Sequence, residues 1–488
     1  MPLHAATTER TAVEPWHGSG PSAAAAALRG RPGLVWLDSA LSHPLHGRWS
    51  IVASDPRWTV AAPRGEPVLL RQETSEASEA LPPGALHAFA TLVEAEPPAV
   101  LPADAPRLPF AGGAIGYLGF EVAREVERLP ATTLDDIGAP DLAFGWYDAA
   151  LVWDGVRQRG WLAGRPDAVA ALRARLEGRT ASVPPPSGAG LLRANMSRRA
   201  YLDAVGRARR YIEAGDIYQV NLSQRFSTPV AGQGFDLYQR LRQVSPAPFG
   251  AYLDLRTAGD TAAAGVEVLS SSPERFLLAE GDHLETRPIK GTRPRGTTAD
   301  QDARLAEALT RSAKDRAEHL MIVDLERNDL GRVAVPGSVR VPHFAALESY
   351  AQVHHLTSTV EARRRPGTTL EALLRATFPG GSISGAPKVR ALEIIDELEP
   401  TVRGVYTGAI GYCSAHGRTD LSIAIRTITL ADGIAHLHAG GAIVYDSDPE
   451  AEYVEVLDKA RGMARALGVA LPDEAPLPPS RAPSTPRR

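Results

Sequence analysis

The side chains best equipped for chemistry in this sequence are one lysine and a set of carboxylates at helical spacing. Lys290 sits in the run Arg287-Pro288-Ile289-Lys290-Gly291-Thr292-Arg293-Pro294-Arg295-Gly296. An uncharged primary amine can bond covalently to a substrate carbon, yet a free lysine has a pKa of about 10.4, leaving only ~0.04% neutral at pH 7. Lowering that value by about three units would raise the nucleophilic fraction nearly a thousandfold. Glu452, Glu455 and Lys459 fall at i, i+3 and i+7 of one helical stretch. Asp315 and Glu318 fall at i and i+3 of another, followed by Asp324 and Glu326. Two such stripes can converge on a hard cation such as Mg2+, which takes one or two carboxylates, waters and an anionic substrate group. On spacing alone, acidic stripes are more often solvated helix faces.

The elements that must position these residues follow an α+β pattern. Short apolar runs from Gly33 to Leu37 and from Trp49 to Ala53, separated by turn residues, predict strands in the first part. Asp167 to Glu177 reads as a helix. Arg198 to Glu213 carries helical spacing through Tyr201, Ala204, Val205, Ala208 and Ile212, and stops at Gly215. Ile217 to Ser227 alternates as a strand. Ala303 to Leu325 and Pro449 to Leu467 read as helices. Gly337 to Val341, Tyr406 to Cys413, Asp420 to Leu430 and Ile434 to Val444 read as strands. Without regular βα alternation, mainly antiparallel sheets are expected rather than a doubly wound parallel one.

The 488 residues suffice for two or more domains or lobes. Pro-rich residues 182–190 read as a linker between an N-terminal region, 1–181, and a larger region, 191–468; residues 469–488 read as a disordered Pro-rich tail. The net charge of −4 leaves no basic footprint for nucleic acid. A single cysteine, Cys413, excludes an intramolecular disulfide framework and any multi-cysteine metal site, and suits a reducing cytoplasm. The alanine run 23–27 is too short for a signal peptide or a membrane span, so a soluble cytoplasmic protein is expected.

Six segments in order, over about residues 195 to 465, resemble signatures of the chorismate-utilising enzymes. They are Ile217-Tyr218-Gln219-Val220-Asn221-Leu222-Ser223-Gln224, Ser271-Ser272-Pro273-Glu274-Arg275-Phe276, the lysine run, the stretch from Glu318 to Asp329, Gly381-Ser382-Ile383-Ser384-Gly385-Ala386-Pro387-Lys388, and Asp458-Lys459-Ala460. The resemblance implies that family's fold, two large mainly antiparallel sheets stacked on each other with helices outside. Anthranilate synthases usually carry a small residue where Lys290 stands, whereas aminodeoxychorismate synthases carry lysine. The implied activity is therefore amination of chorismate at C4. Lys290 would attack C2 while Glu274, the general acid, protonates the departing C4 hydroxyl; ammonia would then displace the lysine to give 4-amino-4-deoxychorismate.

Further roles are implied position by position. Glu318 and Glu455 would ligate Mg2+ directly, Asp315 and Glu452 through waters, with Lys459 facing the metal-bound carboxylate. Tyr406 and Arg426 would bind the enolpyruvyl carboxylate, helped by a glycine turn at Gly440, Gly441 and Ala442. Ala442 stands where the family often has glycine, and a positive φ there would be strained. Gly291, Thr292, His355 and Ser382 would line the ring; the adjacent His354 leaves the histidine assignment open. Leu37-Asp38-Ser39 matches more loosely a segment of the family's tryptophan pocket, which would draw on Asp38 and Ser39. Gln219 stands where isochorismate synthases carry a lysine base. Gly411-Tyr412-Cys413-Ser414 is not a glutaminase nucleophile elbow, so ammonia would come from a separate glutamine amidotransferase subunit. Conversion to 4-aminobenzoate would need another enzyme. The rival readings are an anthranilate synthase, an isochorismate or salicylate synthase, and a catalytically silent binding module.

Overall fold

The computed structural model describes residues 11–41, 46–73, 75, 78–177, 190–256, 266–350 and 353–472. Among them, strands form two twelve-stranded sheets. The first runs from Ala12–Trp16 at one edge through Val35–Asp38, Phe249–Asp254, Glu267–Ser272, Thr427–Ala431 and Ile434–Ile443 to Gln219–Pro229. The second runs from Ile289–Pro294 through Val353–Arg363, Arg275–Glu280, Thr419–Ile423, Ala409–Ser414 and Gly113–Leu118 to Glu79–Leu81. These ladders are antiparallel.

Period-two burial explains the stacking. Val35, Ile51, Ala53, Ala251 and Leu253 of the first sheet pack with Ile115, Tyr117, Ile410 and Tyr412 of the second in one apolar layer. Their alternates Trp36, Val52 and Tyr252 face the opposite way, into a core shared with helices that include Gly234–Val244. Helices thus cover the outer faces, and the fold is the one the resemblance implies.

Four expectations change in detail. The stretch Ala303 to Leu325 is two helices, Ala299–Arg311 and Ala313–Gly331, broken at Ser312. Ser312 has extended ψ (110°), and its Oγ accepts the Asp315 N–H at 3.2 Å as an N-cap. The run Asp420 to Leu430 is two strands, Thr419–Ile423 and Thr427–Ala431, one in each sheet. The regions 1–181 and 191–468 do not hold separate cores, because both contribute strands to both sheets; residues 182–189 of the expected linker lie outside the described residues. The expected tail begins later than residue 469. Val469, Ala470 and Leu471 are buried, and the Ala470 carbonyl accepts the Leu192 N–H at 3.2 Å; residues 473–488 lie outside the described residues.

Ser312→Ala should cost about 1 kcal/mol of stability, the usual value of a lost N-cap. Urea unfolding monitored by circular dichroism measures it; an unchanged midpoint would show that the Ser312 cap contributes nothing.

Candidate active site

Two of the chain's passages from one sheet to the other lie at adjacent corners. Glu267–Ser272 leads through Pro273 and Glu274 into Arg275–Glu280, and Thr419–Ile423 leads through Ala424, Ile425 and Arg426 into Thr427–Ala431. The corners are laced together. Ile423 N–H donates to the Glu274 carbonyl at 3.0 Å, Ser271 N–H to the Arg426 carbonyl at 3.0 Å, and Ser272 Oγ to the Ile423 carbonyl at 2.6 Å. Arg426 takes a left-handed backbone (φ 52°), uncommon for a bulky residue, to make its turn.

Lys290 reaches this junction from the edge strand Ile289–Pro294. Gly291 is at φ 75°, where the register against Val353–Arg363 slips by one residue. A Cβ on Gly291 would lie 2.9 Å from Leu309 and 3.3 Å from Asp315, so glycine also lets the two helices approach. Lys290 Nζ lies 3.2 Å from Glu318 Oε1 and donates to the Ser382 carbonyl at 3.2 Å. Glu274 is buried; Ile289 N–H donates to its Oε1 at 3.3 Å. Burial raises the Glu274 pKa, opposed by the Ser382 hydroxyl, the Lys290 charge and the Ile289 N–H. That is the direction a proton donor at neutral pH requires.

Arg426 makes no ion pair among the described residues, and burial lowers its pKa while Tyr406 and Glu455 favour its charge. The Tyr406 ring stacks on His438, centroids 5.0 Å apart. Thr292 Oγ1 and His355 Nδ1 are 2.8 Å apart, and burial, with the Arg426 charge, holds His355 down to about 4 and therefore neutral. The adjacent His354 faces Asp302 at 2.9 Å and Ser349 at 2.8 Å, so His355 is the histidine beside Thr292. Gly440, Gly441 and Ala442 do not form a turn. They continue the strand Ile434–Ile443, opposite Ser223, Leu222 and Asn221, and Ala442 has no positive φ. Thr427–Ala431 pairs with this strand only as far as Leu437, so beyond it that edge has no strand neighbour.

The four expected metal-site carboxylates border the same space, without closing into a cage. Glu455 Oε1 is 2.6 Å from Lys459 Nζ, which also donates to the Gly440 carbonyl at 2.8 Å. Glu452 accepts the Ser447 hydroxyl at 2.6 Å, and Asp315 pairs with Arg293 at 2.9 Å. A Cβ on Gly441 would lie 3.0 Å from Glu452 Oε2 and 3.7 Å from Glu455 Oε1, which brings this stripe against the glycine strand. Lys290 joins the stripes: it contacts Glu318 and its charge helps hold the Glu455 pKa down. Among the described residues, the one acidic and histidine group with ligand atoms within 4.8 Å of one another is His283, Glu285 and Glu361. It lies on the neighbouring pair, His283–Arg287 with Val353–Arg363, and Glu285 there is paired with Arg275 at 2.7 Å.

Several supporting residues were not assigned roles from the sequence. Asn221 Nδ2 donates at 3.0 Å to the Ser382 carbonyl that also receives Lys290. Arg403 is buried and holds Glu399 at 2.7 Å, the Ile383 carbonyl at 3.1 Å and the Asn221 carbonyl at 2.7 Å. It thereby ties the serine turn and the strand of Asn221 to Tyr406, three residues on. Lys388 reaches Asp329 at 2.6 Å. The motifs quoted above contain Asn221, Asp329 and Lys388, but nothing local says what they touch.

A cavity of about 280 Å³ opens between the sheets beside Asp38 and Ser39, walled also by Trp49, Phe249 and Tyr412. The Asp38 carboxylate is already engaged by Arg242 at 2.7 Å and Tyr238 at 3.2 Å, and Ser39 Oγ donates to the Trp49 carbonyl at 2.7 Å.

This fold, with a lysine, a buried carboxyl and an unpaired guanidinium at its sheet crossings, defines a class: residues 42–465 match the chorismate binding enzymes, and the chain belongs to that family. Aminodeoxychorismate synthase component 1 of Salmonella typhimurium is 44% identical over 425 residues, 87% of this chain and 90% of that protein. Anthranilate synthase component 1 of Thermus thermophilus is 45% identical over 371 residues, 74% of this chain and 79% of that protein. The crystal structure of anthranilate synthase component I from Streptococcus pneumoniae TIGR4 has a TM-score of 0.74 at 33% identity, covering 87% of this chain and 94% of that one. No helix among the described residues is long and apolar enough to cross a membrane.

Arg403→Leu should destabilise the protein by about 3–5 kcal/mol, because it strands the Glu399 carboxylate in the interior. Adding Glu399→Leu should recover much of that loss in urea titrations; a double variant no more stable than the single one would contradict the ion-pair account.

Proposed function

We propose that this chain is the chorismate-aminating component of an aminodeoxychorismate synthase. It converts chorismate and ammonia to 4-amino-4-deoxychorismate, the precursor of 4-aminobenzoate for folate. The observation that carries the reading is Lys290 Nζ, 3.2 Å from both Glu318 and the Ser382 carbonyl and near enough to the buried Glu274 to influence its ionisation. The component 1 relatives support it, as does a lysine where anthranilate synthases usually carry a small residue.

Arg426 and Tyr406 receive the enolpyruvyl carboxylate, with backbone N–H groups along Gly440 to Ala442, while Thr292, His355 and Ser382 border the ring. The Lys290 amine, in its uncharged form, bonds to C2 as both ring double bonds shift and the C4–O bond breaks. Glu274 gives its proton to the departing oxygen, which leaves as water. Ammonia then bonds to C4, both double bonds shift back, and the C2–N bond to Lys290 breaks with its electron pair returning to the amine. The oxygen donors Glu318 and Glu455, with Asp315 and Glu452 behind them and Lys459 alongside, suit Mg2+. Bound there, Mg2+ would offset the charge of the ring carboxylate and compete with Lys290 for Glu318. Ammonia comes from a separate glutamine amidotransferase subunit, as the component naming of the relatives suggests.

Purified protein supplied with chorismate, Mg2+ and ammonium should form 4-amino-4-deoxychorismate, identified by mass and chromatography. Anthranilate as the main product would refute the assignment in favour of C2 amination. Lys290→Ala should lower C4 amination about a hundredfold or more, and Glu274→Gln should lower kcat by about 10²–10⁴. Undiminished C4 amination by Lys290→Ala would rule out the adduct. EDTA-treated protein should lose turnover and regain it with Mg2+; full activity after chelation would remove the metal from the scheme.

A further inference from the structure

The proton donor has a buried neighbour that the scheme above does not use. Glu326 lies on the helix Ala313–Gly331, eight residues beyond Glu318, and its side chain is buried. Thr286 Oγ1 donates to Glu326 Oε2. Thr286 stands three residues before Ile289, whose N–H holds Glu274. On the other side, a Cβ on Gly381 would come within 3.8 Å of Glu326 Cγ, and Gly381 precedes the Ser382 that borders Glu274. Two carboxyl groups therefore share one corner, between residues 286–289 and the turn at 381–382. Neither makes an ion pair among the described residues: Lys290 is spent on Glu318, and Lys388 on Asp329, one turn beyond Glu326.

We infer that Glu326 is a positioning residue for the acid step, forming with Glu274 a buried carboxyl pair that holds a proton in common. The inference rests on the chorismate reading given above. Lys290 and the Ser382 hydroxyl face Glu274; Glu274, Asp329, Lys388 and the Thr286 hydroxyl face Glu326. Burial pushes Glu326 up to about 8, with Glu274 and Asp329 adding to the rise and Thr286 and Lys388 opposing it. Two interacting carboxyls release their protons in steps that belong to the pair. The second proton stays until the charge of one partner no longer suffices to retain it on the other. When Glu274 protonates the leaving C4 oxygen, the pair loses one proton, and it regains one as the nitrogen added at C4 sheds a proton.

The test is the pH dependence of kcat for C4 amination, with free ammonia held constant across the series. In the wild type the alkaline limb should lie where the pair loses its last proton, about pH 8. Glu326→Gln should move that limb to lower pH. Thr286→Val, which removes the hydrogen bond that favours ionised Glu326, should move the limb to higher pH. Rates scaled down evenly with an unmoved limb, in either variant, would overturn the pairing and leave Glu326 a packing residue. If Glu326→Gln does not fold, Thr286→Val decides alone. Infrared titration reads the pair without turnover: a buried protonated carboxyl band should persist in the wild type through pH 7. Its absence would also overturn the inference. A wild type that aminates nothing would refute the chorismate reading, and the infrared titration would still test the pair.

Discussion

The site exists because two neighbouring chain segments leave one sheet and enter the other at the same place. A strand inside a sheet spends its backbone groups on its neighbours, whereas a strand that must change sheets releases them at the corner. Here the released groups bind one another: Glu274 O takes Ile423 N–H, and Arg426 O takes Ser271 N–H. The corner is thus rigid without filling the space in front of it. Glu274 and Arg426 stand on adjacent segments, and the edge strand of Lys290 supplies the third group. Both helices bearing the acidic stripes then need only pack against that frame.

Charge balance decides what each group can do. Arg403 and Arg426 both approach Tyr406, yet they differ in kind. Arg403 is saturated by Glu399 and by carbonyls, so it holds structure, whereas Arg426 makes no ion pair among the described residues. The same contrast separates the carboxylates. Glu274 is shielded from full neutralisation and pushed toward its acid form, whereas the Lys459 and Lys290 charges hold the Glu455 pKa below its usual value. Glu274 and Glu455 are thus driven in opposite directions by their neighbours rather than by residue type.

How much of this was legible in the sequence depended on whether the signal was local. The helices Arg198–Glu213 and Pro449–Leu467 read with their observed bounds, because apolar period and stop residues coincide. The break at Ser312 was readable in principle: Ser312 with Asp315 three residues on is a capping pattern, but the helical period runs on through it without glycine or proline. The sheet change at Arg426 had no such mark. Nothing in the run from Asp420 to Leu430 interrupts strand character, and the carbonyl of the left-handed arginine is held by the Ser271 N–H, which comes from elsewhere in the fold.

The glycines at 440 and 441 show the same limit from the other side. A Gly-Gly pair suggests a turn, yet here the missing side chains serve close approach. A Cβ on Gly440 would sit 2.6 Å from the Leu222 carbonyl, and one on Gly441 would press on Glu452. Composition indicates that a backbone must be bare; only the partner strand and helix reveal why. The lysine and the carboxylates carried their own chemistry in their residue types and could be named in advance. Asn221, Arg403 and Glu326 act through what they touch, and contacts between residues separated by 40 to more than 180 positions leave no imprint on local pattern. The chemistry-bearing groups were therefore visible first, and the residues that hold them became visible only in the fold.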